Sequence, residues 1–219
     1  MPVVDLYGTT NGDGWLSKSS TTSWSDARDN TTASSGSSSS TYSGFAIRAT
    51  AASGRGGTTT YVCTRAFIYI DTSSVATVPS SGLLRIFGAS YGNASVVPVK
   101  ATHGSSITTA DFDAIDGWDN LGGNHSADVT YYGNILNSWS TSGYNDFTLT
   151  SDALNDIANN DNIQICLMQY TNDVRGSTPS SSSNYSGMFF ADYVSSSRRP
   201  YLNVQIPEAN NSIFFGTNF

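Results

Sequence analysis

Residues 60–71, TYVCTRAFIYID, carry the strongest secondary-structure signal in the chain. Ala66, Ile68 and Ile70 fall on one face of an extended segment, and Phe67 falls on the other. This period of two is that of a β-strand, in which successive side chains point to opposite faces of the sheet. β-Branched and aromatic residues fill the segment, as they do in most strands. The segment therefore predicts a long β-strand.

Comparable segments lie on both sides of it, separated by turn clusters such as NGDG, SGRGG and PSSG. Short strands at frequent intervals with glycine, serine and asparagine turns are typical of a sandwich or barrel. The sequence therefore predicts an all-β fold, a jelly-roll-like two-sheet β-sandwich. The other predicted strands are VVDLY, GWLSK, GFAIRAT, GLLRIFGAS, ASVVPVK, DFTLT, NIQICLMQYT, GMFFADYV and YLNVQI.

One segment, TSDALNDIANND, has helical rather than strand periodicity. Ala153, Leu154 and Ile157 recur at helical spacing, and Ser151 is of a residue type that favours the N-cap position. We expect one short helix from about residue 152 to 159. It directly precedes a predicted strand, so we expect it to cover one open end of the sandwich.

We predict a single sandwich domain over residues 1–206, with the serine run at 34–40 as a solvated loop, followed by a C-terminal extension at 207–219. The extension is unusual because it is apolar. Its aromatic residues would either fold back as an edge strand on their own sheet or bind a neighbouring subunit or partner, and we favour the neighbour. The partner-binding residues of this prediction are Ile213, Phe214, Phe215 and Phe219.

Composition limits the classes of partner. Charged residues make up only 12% of the chain, the net charge is −7 and the pI is near 4.5. An acidic surface disfavours nucleic acid and anionic membranes, because binding to both depends on lysine and arginine. The N-terminus has no basic region or long apolar run, so we expect no signal peptide and synthesis in the host cytoplasm.

The two cysteines, Cys63 and Cys166, lie in apolar strand-like segments. The simpler expectation is two buried free thiols that pack as small apolar side chains. A disulfide would form only if their two strands faced each other.

The densest group of acids lies in DFDAIDGWDNLGGNHSAD at residues 111–128. Asp111, Asp113 and Asp116 could provide oxygen ligands to Ca²⁺, although the spacing is not that of an EF-hand. The alternative, which we favour, is a solvated loop whose acids stabilise turns. No other cofactor is predicted.

In the same loop, Trp118 stands between glycine and Asp119. Its ring could stack on a sugar while Asp116 and Asp119 accept hydrogen bonds from sugar hydroxyls. The alternative is that Trp118 folds back onto the sandwich. A glycan is therefore one candidate ligand.

Catalysis has little support in the sequence. Glu208 is the only glutamate, so paired carboxylates for glycoside cleavage would have to be aspartates. We therefore expect a protein that is not an enzyme. We interpret Arg65, Arg198 and Arg199 as bracing residues whose guanidinium groups tie neighbouring carbonyls and carboxylates together.

Four strings resemble a known family when they are taken together. They are RAFIYIDTSSV at 65–75, SGLLRIFG at 81–88, GYNDFTLTSDALNDIANNDNIQICLMQY at 143–170 and FFADYVSSSRRPYLNVQI at 189–206. The last string has the Ser–Arg loop and the Arg-Pro-aromatic step at residues 197–201. These features resemble the β-sandwich family known by its DNRLRE motif, which is itself not reproduced literally here.

This resemblance covers roughly residues 61–206, while GDGWLSKSSTTSWSDARDN at 12–30 is similar to the openings of proteins from tailed-phage structural gene clusters. The resemblance implies a sandwich used for adhesion, carbohydrate binding or particle surfaces. We therefore expect a bacteriophage virion structural protein, in first place a capsid decoration or cement protein. It would be located in the virion, bind capsid or other virion proteins and form homo-oligomers. The alternative is a carbohydrate-binding module or adhesin, including a tail-fibre component.

Overall fold

The computed structural model describes residues 1–208. Eleven strands in antiparallel pairs form the body of the protein, and the fold is the all-β, jelly-roll-like sandwich that the sequence predicts. The strands are β1 Val3–Tyr7, β2 Gly14–Ser20, β3 Ser35–Ser37, β4 Tyr42–Ser53, β5 Thr59–Asp71, β6 Ser81–Gly92, β7 Val96–Lys100, β8 Tyr144–Thr148, β9 Asn162–Gln169, β10 Tyr185–Phe189 and β11 Tyr201–Gln205.

Two sheets join at the long strand β6. Its first half pairs with β11 and β8, and β11 pairs in turn with β1. Its second half pairs with β10, which continues through β4 to β5. One edge of β5 pairs with β4 through its first half and with β9 through its second half, and the other edge pairs with β2. β9 pairs in turn with β7. The first and last strands of the chain are therefore neighbours in one sheet.

The main core lies between the two sheets. Leu84 and Ile86 of β6 and Leu202 of β11 contribute from one sheet, and Ile68 and Ile70 of β5 contribute from the other. All five side chains are fully buried. Their positions follow from the period of two, which turns every second residue of each strand inward.

A second core lies on the opposite face of the β5–β9–β7 strands. Phe67 of β5, Val99 of β7 and Met168 of β9 pack there against Trp24 and Phe112. The chain between β7 and β8 and the short helix α1 (Trp24–Arg28) cover this face. The sandwich therefore has an additional layer, and β5 is buried on both faces as its continuous apolar sequence requires.

The helical prediction needs two corrections. The second helix, α2, spans Ser151–Asn159, and its N-cap is Thr150, whose hydroxyl oxygen accepts from the backbone N–H of Ala153. Ser151 is therefore the first helical residue and not the cap. The sandwich also has the helix α1, which was not predicted because its sequence WSDAR is too short to show periodicity.

The serine run at 34–40 is not entirely a loop. Ser35–Ser37 form the edge strand β3, which pairs with β2. A Cβ on Gly36 would lie 2.4 Å from a side-chain atom of Leu16, so the close approach of these two strands requires glycine. Serine and glycine have weak strand propensity, and pairing with β2 overrides it.

Cys63 and Cys166 are fully buried free thiols, which confirms the simpler of the two expectations from the sequence. Burial raises the pKa of both thiols, so both groups remain protonated. Within residues 1–208, no helix combines the length and apolar character needed to span a membrane.

Candidate functional site

The three aspartates predicted as calcium ligands each have a role within their own loop. Asp111 accepts from the backbone N–H and the hydroxyl of Thr108, and so closes the 3₁₀ turn Thr109–Asp111. Asp113 accepts from the side-chain amide of Asn120, at 2.6 Å. Asp116 accepts from the hydroxyl of Thr130, at 2.6 Å.

The part of the chain that the structure describes contains no group of three or more acidic, histidine or cysteine side chains that could hold a metal ion. The geometry therefore gives no support to a calcium site at Asp111, Asp113 and Asp116. Their carboxylates serve the turns of the loop instead, which is the alternative that the sequence favoured.

Trp118 is half-buried and packs on the second core. Its ring centroid lies 4.1 Å from that of His125 and 4.3 Å from the guanidinium carbon of Arg65. Its indole N–H donates to Asn120. The ring is thus engaged inside the protein, while Asp119 is exposed beside it. The predicted sugar platform at Trp118, Asp116 and Asp119 is not an open aromatic surface.

Arg65 organises the region beneath this loop. Its guanidinium makes a bidentate ion pair with Asp173, at 2.7 and 3.0 Å, and both side chains are fully buried. It also donates to the backbone carbonyls of Phe112 and Arg28. The bracing role predicted for Arg65 is therefore confirmed. Its partner Asp173 lies 108 residues away and could not be identified from the sequence.

A different surface, the outer face of the sheets, carries most of the aromatic side chains that are not in a core. Most of these side chains alternate with core residues on their strands. Their rings form two groups, Phe45–Tyr91–Tyr185 and the other seven, and within each group neighbouring ring centroids lie 4.7–5.8 Å apart. We call this surface the aromatic face; it comprises Tyr7, Tyr42, Phe45, Phe87, Tyr91, Tyr144, Tyr185, Phe189, Tyr193 and Tyr201.

The aromatic face is apolar, yet solvent reaches it. Tyr42 is 55% exposed, and Phe45, Tyr91 and Tyr7 are each exposed by more than 40%. Arg85 lies over the rings of Tyr144 and Tyr201, and burial raises the pKa of Tyr144 to about 12. Exposed apolar side chains that cluster and are rimmed by polar groups mark interaction sites in soluble proteins.

A groove of ≈ 560 Å³ runs along the middle of the aromatic face. Phe87 and Phe189 form its apolar lining, and Tyr42 and Tyr193 flank them. The remaining lining residues are Thr41, Ala89, Ser90, Thr141, Ser142 and Arg198. The groove therefore combines ring surfaces with hydroxyl groups and one cation, a composition suited to binding.

Ser90, which lines this groove, has an unusual backbone conformation. Its φ of 57° lies in the left-handed region, which non-glycine residues seldom adopt. It lies in a β-bulge, where the register between β6 and β10 shifts. Bulges and strained backbone occur preferentially at binding sites, where they redirect side chains.

The two adjacent arginines have different roles. Arg199 donates to the backbone carbonyl of Tyr193, at 2.8 Å, as the bracing prediction has it. Arg198 instead lies over the rings of Phe87, Phe189 and Tyr193, at 5.0–5.5 Å from their centroids. Among residues 1–208, no side-chain hydrogen bond or ion pair involves its guanidinium, and Arg198 lines the groove.

Only a weak signal for this site is present in the sequence. Phe87 and Tyr91 lie in the predicted strand GLLRIFGAS and directly after it, and Tyr42 and Phe45 lie at the start of another strand. Aromatic residues on an outward face are not distinguishable from core residues until the strands are paired. Sequence analysis therefore predicts partner binding at the C-terminal extension and glycan binding at Trp118, and it does not single out the aromatic face.

No family model matches the chain, and no curated protein is significantly similar to it. The resemblance to the DNRLRE-motif family therefore remains an expectation.

Proposed function

We propose that this protein is a structural component of a tailed-bacteriophage virion, in first place a capsid decoration protein that has no catalytic activity. The observation that supports it best is the aromatic face, which exposes several large rings next to one another. Such a surface is stable in water when a partner covers it. The low content of charged residues and the resemblance to phage structural proteins support the same proposal.

In this proposal the protein strengthens a particle by burying apolar area against a neighbouring subunit. A stable interface needs about 800 Å² from each partner, with aromatic and arginine residues near its centre. The aromatic face has this composition, since Arg85, Arg48 and Arg198 lie over its rings. Homo-oligomers would form through the same kind of contact.

The extension gives this proposal a second attachment element. Ile213, Phe214, Phe215 and Phe219 lie outside the described residues, so their predicted role in binding a partner stays a prediction. It is tested separately from the aromatic face by comparing the full chain with a chain cut after Glu208 in binding to capsids.

Co-sedimentation with purified capsids tests the aromatic face. The double variant Tyr42→Ser/Phe45→Ser removes two exposed rings, and we expect its binding to fall at least tenfold. The double variant Val78→Ser/Leu121→Ser removes two exposed apolar side chains outside the face and should bind like the native chain. Equal binding by both double variants would contradict a role for the aromatic face.

The groove favours a second candidate, glycan binding. Ring surfaces stack on the apolar faces of sugars, while Arg198 and the hydroxyls of Ser90 and Thr141 can hydrogen-bond to sugar oxygens. This moves the candidate glycan site from Trp118 to the groove. The protein would then be an adhesin or a tail-fibre component.

A glycan array followed by calorimetry tests this candidate. We expect Phe189→Ala and Arg198→Ala each to weaken binding of any glycan found by tenfold or more, with melting temperatures close to native. Trp118→Ala should affect stability but not affinity. Loss of affinity in Trp118→Ala alone would return the site to the acidic loop, and an array without binders would remove this candidate.

A further inference from the structure

One wall of the groove is an irregular segment. Residues 191–200 connect β10 to β11 and carry Tyr193 and Arg198, which line the groove. This wall segment forms no strand, and Val194 within it is 88% exposed. The backbone N–H of Gly8 holds its end by donating to the carbonyl of Pro200, and the hydroxyl of Tyr144 donates to the carbonyl of Ser197.

Asp13 fixes the beginning of the wall segment from inside the protein. It precedes β2 in the turn NGDG and has no exposed surface. One carboxyl oxygen accepts from the backbone N–H of Ala191. The other oxygen is buried and has no hydrogen-bond partner within residues 1–208, and the same holds for Oδ2 of Asp192. Two incompletely satisfied carboxyl groups therefore lie at the base of the wall segment.

The groups that face Asp13 compensate a negative charge on it only in part. Asp192 acts on it as a like charge and Arg199 as an opposite charge, while the guanidinium of Arg199 is engaged with the carbonyl of Tyr193. The ring of His103 contacts the carbonyl of Gly12 at 3.0 Å, and burial lowers its pKa and keeps it neutral. Burial first, and Asp192 in addition, raise the pKa of Asp13 to about 8.

We infer that the wall segment is a pH-sensitive element: it stays in place as one wall of the groove while Asp13 is neutral and is released when Asp13 ionises. The inference rests on the proposed function of the aromatic face, whichever partner occupies it. An ionised Asp13 would be a buried charge next to Asp192, and the cost of burying it falls if the wall segment moves away and admits water. Binding at the groove should therefore be strong in mildly acidic and neutral solution and weaken in alkaline solution.

A spin label on Val194→Cys of the full chain tests this inference without any partner. Val194 is exposed and both native cysteines are buried, so the label reacts at one position among residues 1–208. We expect electron paramagnetic resonance spectra to show that the mobility of the label increases from pH 6 to pH 9, with a midpoint near pH 8. Asp13→Asn, which is neutral and of the same shape, should give the same label mobility at both pH values.

Asp192→Asn provides a second variant in the same labelled background. It removes the like charge next to Asp13, so the midpoint of the change in label mobility should move to lower pH. This variant tests the inference if Asp13→Asn does not fold. An unchanged spectrum from pH 6 to 9, or the same transition in Asp13→Asn, would overturn the inference. Because no partner is present, failure of capsid or glycan binding would leave these results unaffected, and the two proposals are therefore tested separately.

Discussion

At the scale of single residues, Arg65 holds the region beneath the acidic loop together through a fully buried ion pair with Asp173 and hydrogen bonds to two backbone carbonyls. Its place in an apolar strand indicates a buried, bracing arginine, and the structure confirms this role. Its acidic partner Asp173 lies in a single π-helical turn after β9, which no local pattern indicates. Asp173 is therefore identified by tertiary contact alone.

Loss of Asp173 should destabilise the protein strongly. Asp173→Asn leaves the charge of Arg65 buried without a counter-charge, and breaking a buried ion pair typically costs about 3–5 kcal/mol. The partly exposed pair Arg85–Asp146 is the matched control, and Asp146→Asn should cost less than about 1 kcal/mol. Urea denaturation measures both, and equal costs would contradict the assigned role of Arg65.

Asp13 should make stability depend on pH in the direction opposite to an ordinary carboxylate. Burial raises the pKa of Asp13 from its ordinary value of 3.8 to about 8 in the folded protein. The contribution of Asp13 to the free energy of unfolding is therefore fully present below pH 4 and is lost progressively as the pH rises to 8. Asp13→Asn should flatten the fall in unfolding free energy over this window, as measured by urea denaturation between pH 5 and 9. A fall that is as steep in Asp13→Asn would assign the pH dependence to other groups.

At the scale of elements, the strands were the most predictable part of the fold. Period-two alternation in β5 and the apolar residues of β9 indicated strands because burial on one or both faces leaves a pattern in sequence. β3 and α1 show no such pattern in the sequence, because both are short. β3 is stabilised by pairing with β2, and α1 is stabilised by packing on the second core. The groove was likewise not predictable, because β6 and β10 create it by pairing at a bulge.

The corrected cap of α2 provides a test at this scale. Thr150→Ala should cost about 1 kcal/mol, because the hydroxyl of Thr150 accepts from Ala153 and donates to the carbonyl of Tyr131. Ser151→Ala should change stability by a few tenths of a kcal/mol at most, since Ser151 is the first helical residue. Thermal or urea unfolding compares the two, and a larger cost for Ser151→Ala would restore the cap that the sequence suggested.

At the scale of the whole molecule, two cores lie on opposite sides of β5, and the aromatic face lies outside the first of them. The acidic loop, which the sequence offers as a candidate calcium or glycan site, closes the second core through Arg65 and Trp118. Its sequence looked functional because acids, glycine and tryptophan occur both in binding loops and in loops that cap a core. Only the packing of the complete chain separates these two cases.

The most direct test of the account is hydroxyl-radical footprinting of the full chain, free and bound to purified capsids. We predict that Tyr42, Phe45 and Tyr91 become protected on binding, whereas Leu121, which is 85% exposed and lies outside the aromatic face, stays reactive. Unchanged reactivity of the three aromatic residues in the bound protein would contradict the claim that the aromatic face is the binding surface.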